Sequence, residues 1–205
     1  TIGKEMVDNF MEKINSKDYN KGKDTNSINV TYFEGPKVEI LGDYDAAYFV
    51  EFIDGDGKVR YSDTITNNMW TACGIKYYVP WTIKVNGEIV DQFNIENKTV
   101  LISFESKSVG DTIAWAPYAI ELMKQKNCKV VLSTFHNEWF EGMYPEIEFV
   151  KPGTPVIDLY AMYKIGWFFD GDNINYSSHP NDFRHIPLQQ TASDIFGQEL
   201  KPIVE

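Results

Sequence analysis

Cysteine, histidine and positive charge are all scarce in this chain, and no apolar run is long. The two cysteines, Cys73 and Cys128, lie far apart and in different kinds of segment, which argues against a disulfide framework and against a thiolate metal cluster and predicts buried, reduced thiols. His136, His179 and His185 are too few and too badly spaced for a helix-borne zinc pair and read as solvated loop residues. Nineteen Lys and Arg face 30 Asp and Glu, a net charge of −11, and that balance opposes non-specific attraction to nucleic acid or an anionic bilayer. No stretch approaches the roughly 18 apolar residues of a spanning helix. Thr1 to Glu5 lack the basic start and apolar centre of a secretion signal. The expectation is a cytoplasmic protein with no membrane span and no nucleic-acid partner.

What is abundant is core material. With 43% hydrophobic and 15% aromatic residues, disorder is not the general picture. Residues 1–27 read as a short helix around Met6, Phe10 and Ile14 followed by a polar linker. From 28 to 96 the pattern is short strands and turns. Asp54-Gly55-Asp56-Gly57 separates Ala46–Ile53 from Lys58–Ile65, and Asn86-Gly87 separates Tyr77–Val85 from Ile89–Ile95; both read as β-hairpins of a small antiparallel β domain. From 97 to 205 strands alternate with helices, the grammar of a parallel sheet. Strands are expected at Thr99–Phe104, Cys128–Thr134, Ile147–Val150 and Leu159–Phe168. Helices are expected from about Thr112 to Lys126, at Asn137–Met143 and from Leu188 to Phe196. The fold class is therefore α/β, an antiparallel β domain followed by a Rossmann-like domain.

The segment Ser106-Lys107-Ser108-Val109-Gly110-Asp111 lies between an apolar strand and a long amphipathic helix. This is the usual place for a working loop, outside the carboxyl end of a strand. Asp111 is a candidate general base facing a crevice. Gly110 permits a tight turn and close approach of a ligand, while Ser108 and the amides of Val109 to Asp111 suit phosphate or sugar oxygens at a helix start. Lys107 adds positive charge, and Trp115, one helical turn on, is a candidate stacking wall. Read from residues alone, a helix N-cap is the favoured role of Asp111, ahead of catalysis. The other tryptophans read mainly as core, and Arg184 as half of an exposed ion pair with Asp182. Asp54–Gly57 and Asp170–Asn173 begin like calcium loops but lack the later glutamate and the flanking helices.

The run Lys107–Pro117 resembles the Ser-x-Gly-Asp turn, with its later proline, of the heptosyltransferases of glycosyltransferase family 9. From about Asn68 to Glu199 the chain is similar to the bacterial autotransporter O-heptosyltransferases. The likeness includes Asn68-Met69-Trp70, Ile75-Lys76-Tyr77, Glu105-Ser106-Lys107-Ser108, Leu159–Tyr163, His179–Arg184 and Pro187–Asp194, all in order. The resemblance implies the first, acceptor-side half of a two-lobed GT-B fold, with Asp111 as the base and Lys107, Ser108, Gly110 and Trp115 as its surroundings. It also implies an ADP-heptose-type donor as substrate and a protein serine, for example of an autotransporter adhesin, as acceptor. The donor-binding half and the family's cysteine-ligated iron site lie outside this sequence, so the chain itself is expected to carry no cofactor and no metal. A homo-oligomer is compatible with this reading. The competing readings are a non-catalytic binding module derived from the family and a structural interaction protein.

Overall fold

The computed structural model describes residues 25–201; the helix expected around Met6 to Ile14 lies outside them. Among the described residues, thirteen strands and two α-helices form a mixed α/β fold of two main sheets and a small ribbon. One sheet is antiparallel and four-stranded. It contains β3 (Ala47–Ile53), β4 (Val59–Thr66), β6 (Thr82–Val85) and β7 (Glu88–Gln92), in the order β4-β3-β6-β7. The two expected hairpins are its β3–β4 and β6–β7 pairs. The first turn is tied by Asp54, whose carboxylate accepts the amides of Asp56 and Lys58 at 3.0 Å.

The second sheet has seven strands. β8 (Thr99–Phe104), β9 (Lys129–Ser133), β10 (Glu148–Val150) and β11 (Ala161–Ile165) run parallel to β1 (Ser27–Phe33). β2 (Lys37–Leu41) and β5 (Trp70–Ala72) extend the same sheet antiparallel, in the order β10-β9-β8-β11-β1-β2-β5. Three strands from the 28–96 region thus pair outside the antiparallel sheet, so the pairing does not follow the expected division at residues 96 and 97. The decisive register is Tyr32 opposite Ala161 and Phe33 opposite Met162, a long-range match that local alternation cannot signal.

Both helices cover one face of this sheet. α1 (Val109–Lys126) seats Trp115 edge-on against Phe104 at 5.6 Å. Next to it, Phe196 at the end of α2 (Leu188–Ile195) meets Tyr163 at 6.4 Å. Val100, Ile102, Phe104, Ala161 and Ile165 are almost entirely buried, whereas the alternate residues Leu101, Ser103, Met162 and Lys164 are half-buried. That alternation is the period of two of a sheet covered mainly on one side. α1 ends at Asn127, whose left-handed backbone (φ 49°) turns its amide onto the carbonyl of Met123. The region expected to form a helix at Asn137–Met143 makes only a 3-10 turn at Asn137–Trp139. A ribbon, β12 (Phe169–Asp170) with β13 (Asn173–Ile174), carries the Asp170–Asn173 turn.

The two main sheets share one hydrophobic core. Tyr32, Phe93 and Tyr160 pack together with ring centroids 4.5 to 5.6 Å apart. The Tyr32 hydroxyl crosses between the sheets to donate to the Asp91 carboxylate at 2.5 Å. Burial, that hydrogen bond and the neighbouring carboxylate all push the Tyr32 phenol well above its ordinary value.

Candidate functional site

The carboxyl ends of β8, β9 and β11 lie side by side; the segments leaving β8 and β11 meet on Asp111, and the loop leaving β9 meets the neighbouring Lys107. Such an edge is where ligands bind in open α/β sheets. The loop after β8 folds locally because small hydroxyl side chains satisfy its backbone. Ser106 Oγ accepts the Ser108 amide at 3.1 Å, and Ser108 Oγ accepts the Asp111 amide at 3.4 Å. Ser108 is therefore the N-cap of α1, and the helix begins at Val109 rather than near Thr112. The capping role open to Asp111 falls to Ser108 because the serine occupies the extended position before the first helical residue.

Asp111 is consequently free of capping duty. Its side chain turns back toward the sheet edge, where Oδ2 accepts Ser106 Oγ–H at 2.6 Å and Trp167 Nε1–H at 3.0 Å. The residue is 7% exposed. This corrects the expectation of an open crevice facing Asp111: the side chain is mostly enclosed, with Ser106 and Trp167 seated on Oδ2. A groove of about 700 Å³ lies instead along α1 and α2 and is lined by Gly110, Ile113, Pro117, Tyr118, Leu188 and Leu200. Of the other expected site residues, Lys107, Ser108 and Gly110 are exposed on the turn itself.

Trp115 is the clear departure. It is fully buried, its indole donates to the Leu188 carbonyl at 3.0 Å, and its ring packs 5.5 Å from that of Trp167. It braces the core behind Trp167 and offers no surface for a ligand to stack on. Although Trp115 follows Asp111 by about one helical turn, the turn carries it inward, against Phe104.

Several residues of this edge were not legible beforehand. His136 Nε2 lies 3.0 Å from the Lys107 carbonyl, which can only accept, so the imidazole donates there. His136 also stacks on Trp139 at 4.8 Å, and Lys107 Nζ sits 5.3 Å above the Phe135 ring. Phe135 and Trp139 are 39% and 44% exposed, so this tryptophan belongs to the surface beside the turn and not to the core. The one available signal was position, since both lie in the segment that follows the end of β9 at Ser133.

His179 also departs from expectation. It is fully buried instead of solvated, it packs against Phe183 at 5.4 Å, and its Nδ1 accepts the Asn181 amide at 3.4 Å. Its Nε2 is buried with no hydrogen-bond partner among the described residues. Burial pulls the imidazole below its ordinary value, against the opposing pull of Asp194. Arg184 pairs with Asp182 at 2.6 Å on the surface.

No protein-family model matches the chain. Among characterised proteins it is 31% identical to the autotransporter heptosyltransferase BAHTCr of Citrobacter rodentium, over 75% of this chain and 39% of that protein. It is 29% identical to the autotransporter heptosyltransferase TibC of Escherichia coli, over 80% of this chain and 44% of TibC. The crystal structure of TibC, described as an iron-containing dodecameric glycosyltransferase, superposes with a TM-score of 0.74 at 25% identity over 84% of this chain. The chain is a homologue of the autotransporter heptosyltransferases. It spans less than half the length of these relatives. At 30% identity it is also similar to BimC of Burkholderia thailandensis, described as an inactive autotransporter heptosyltransferase.

The iron of TibC has no counterpart that the described residues could hold. Among them no group of three or more His, Cys, Asp or Glu side chains is placed to bind a metal. Cys73 follows β5 at one edge of the seven-stranded sheet, whereas Cys128 precedes β9 near the other. Both are buried, and burial pushes the Cys128 thiol up to about 11 and raises that of Cys73. Thiols held protonated in this way do not suit an iron site, which needs thiolates. No helix among the described residues is long and apolar enough to cross a membrane.

Proposed function

We propose that this chain is the acceptor-side portion of a heptosyltransferase that moves heptose from an ADP-heptose-type donor to a hydroxyl of a protein, with Asp111 as general base. The hydroxyl oxygen attacks the anomeric carbon, its proton passes to the Asp111 carboxylate, and ADP departs with the electrons of the broken C–O bond. The attack is a direct displacement that inverts the anomeric centre. A carboxylate within reach of the acceptor suits this chemistry without a metal. The observation that carries the reading is a carboxylate fastened through one oxygen at the carboxyl edge of a parallel sheet, in a fold shared with TibC. Lys107, Ser108 and Gly110, exposed beside it, are the proposed acceptor contacts, and the flanking aromatic pair Phe135 and Trp139 extends that surface. In this proposal the donor is held by a second lobe of a GT-B fold, which closes over Asp111. The reaction belongs to the cytoplasm, its acceptor is an autotransporter adhesin, and several copies assemble by analogy with dodecameric TibC.

The similarity to an inactive relative favours a second reading, in which the chain recognises the acceptor but transfers nothing. Incubating the polypeptide that the gene encodes with ADP-D-β-D-heptose and an autotransporter passenger fragment separates the two by intact-mass spectrometry. The first reading expects one heptose added per modified hydroxyl and a loss of at least about 100-fold in Asp111→Asn. Transfer by Asp111→Asn at the parental rate overturns Asp111 as base, and acceptor binding without transfer establishes the binding module.

A further inference from the structure

We propose that Ser106 and Trp167 are positioning residues that occupy Oδ2 of Asp111 and so direct the acceptor proton to Oδ1. The inference rests on Asp111 as the base and adds which oxygen acts and what holds it there.

Two donors meet on a single oxygen. Ser106 Oγ and Trp167 Nε1 both lie within hydrogen-bond distance of Oδ2, at 2.6 and 3.0 Å. The hydroxyl of Ser106 has one proton to give. Because an ionised carboxylate oxygen can only accept, that proton points to Asp111, while the Ser106 oxygen accepts the Ser108 amide at 3.1 Å. The indole N–H of Trp167 can only donate. With both donors in place, the two lone pairs of Oδ2 are engaged and a proton added there has no acceptor to turn to, so the proton of an incoming hydroxyl is received at Oδ1.

The arrangement is also stiff. Rotation of a carboxylate about its last bond is ordinarily broad and soft, and two bonds to one oxygen remove that freedom. Trp167 itself is wedged between Trp115 at 5.5 Å and Phe183 at 5.0 Å. Phe183 is backed in turn by Phe169 and His179. Side chains from the β8–α1 loop, from the exit of β11 and from the segment before α2 therefore share the task of aiming one carboxylate. Holding a base in its reacting orientation lowers the barrier without changing ground-state affinity.

The test uses the transfer assay above on the polypeptide that the gene encodes. Ser106→Ala, which loses the donor to Asp111 together with the acceptor for the Ser108 amide, and Trp167→Phe, which loses the indole N–H and part of the ring volume, are expected to lower kcat by about 10-fold each and leave the acceptor KM within about twofold. Ser106→Thr, which retains the hydroxyl, is expected to recover most of the rate. Both donor-less variants at parental kcat, with Asp111→Asn inactive, overturn the positioning role and leave the base assignment standing. An active Asp111→Asn overturns the base assignment itself. A Ser106→Thr no better than Ser106→Ala also refutes the proposal. Should the polypeptide transfer nothing, the geometry is read by NMR. The Trp167 indole N–H is expected to be protected from exchange and to lose protection in Asp111→Ala, and an indole indifferent to that change refutes the clamp.

Discussion

Replacing Trp115 empties the joint between α1, α2 and the parallel sheet, and the size of the loss separates a core residue from a ligand-facing one. The indole is fully enclosed, with Phe104 edge-on at 5.6 Å, Trp167 at 5.5 Å and the Leu188 carbonyl 3.0 Å from its nitrogen. Removing a buried aromatic to alanine costs about 3–5 kcal/mol through lost transfer energy and the cavity left behind. The hydrogen bond to Leu188 adds about 1 kcal/mol net. A total near 5 kcal/mol approaches the whole stability of an ordinary domain, about 5–15 kcal/mol, so Trp115→Ala is expected to accumulate poorly. Trp115→Phe is the informative variant. It keeps one ring against Phe104, loses the N–H and part of the volume, and is expected to cost about 2 kcal/mol, which for a chain of this size lowers Tm by about 4–8 °C. Urea denaturation followed by circular dichroism reads this as a shifted midpoint with an unchanged slope. A change below about 0.5 kcal/mol accompanied by weakened acceptor binding would return Trp115 to a ligand wall and refute the core assignment.

Burial holds His179 below the ordinary imidazole value, so the unfolded chain takes up its proton first as the pH falls. The stability linked to His179 is therefore complete above about pH 6.5 and is lost below it, with a slope no steeper than about 1.4 kcal/mol per pH unit. His179→Asn, which retains an acceptor for the Asn181 amide, should flatten that slope in denaturation series between about pH 7 and pH 5.5, and parallel curves would contradict the linkage. Ser108→Ala removes the N-cap of α1. Since its bond to the Asp111 amide is long at 3.4 Å, the loss should sit near the low end of capping effects, about 0.5–1 kcal/mol by urea midpoint, and no loss would deny Ser108 that role. Gly197 has φ +63°, and an added Cβ would stand 2.7 Å from Tyr78 Cδ1. Gly197→Ala should therefore cost at least about 1–2 kcal/mol in thermal unfolding, and a neutral outcome would show that the segment after α2 yields freely. Cys73 and Cys128, buried and with raised thiol pKa values, should resist maleimide at neutral pH until the chain is denatured; prompt native-state labelling would contradict their burial.

The elements most legible in the sequence were those whose signal is local. The β3–β4 and β6–β7 hairpins follow from alternating strands around Asp54–Gly57 and Asn86-Gly87, where the turn residues themselves impose the reversal. β8 and β9 show as apolar runs because both are interior strands of the sheet. The start of α1 was displaced because Ser108 and Asp111 are both good capping residues, and only the backbone conformation of Ser108 decides between them. The short region at Asn137–Met143 has helical composition but makes a single 3-10 turn.

By itself, the amino-acid sequence determined the hairpins, the strand and helix grammar after residue 97, the turn that carries Asp111 and the kinship with the autotransporter heptosyltransferases. These depend on neighbours in the chain, on period and on ordered residue blocks. Tertiary structure alone decided that β1 pairs with β11, that Trp115 points inward, that His179 is enclosed and that Ser106 and Trp167 meet on one oxygen of Asp111. Trp167 lies 56 residues from the aspartate it holds. No local pattern encodes such a meeting, because it exists only once β8 and β11 lie side by side in the sheet.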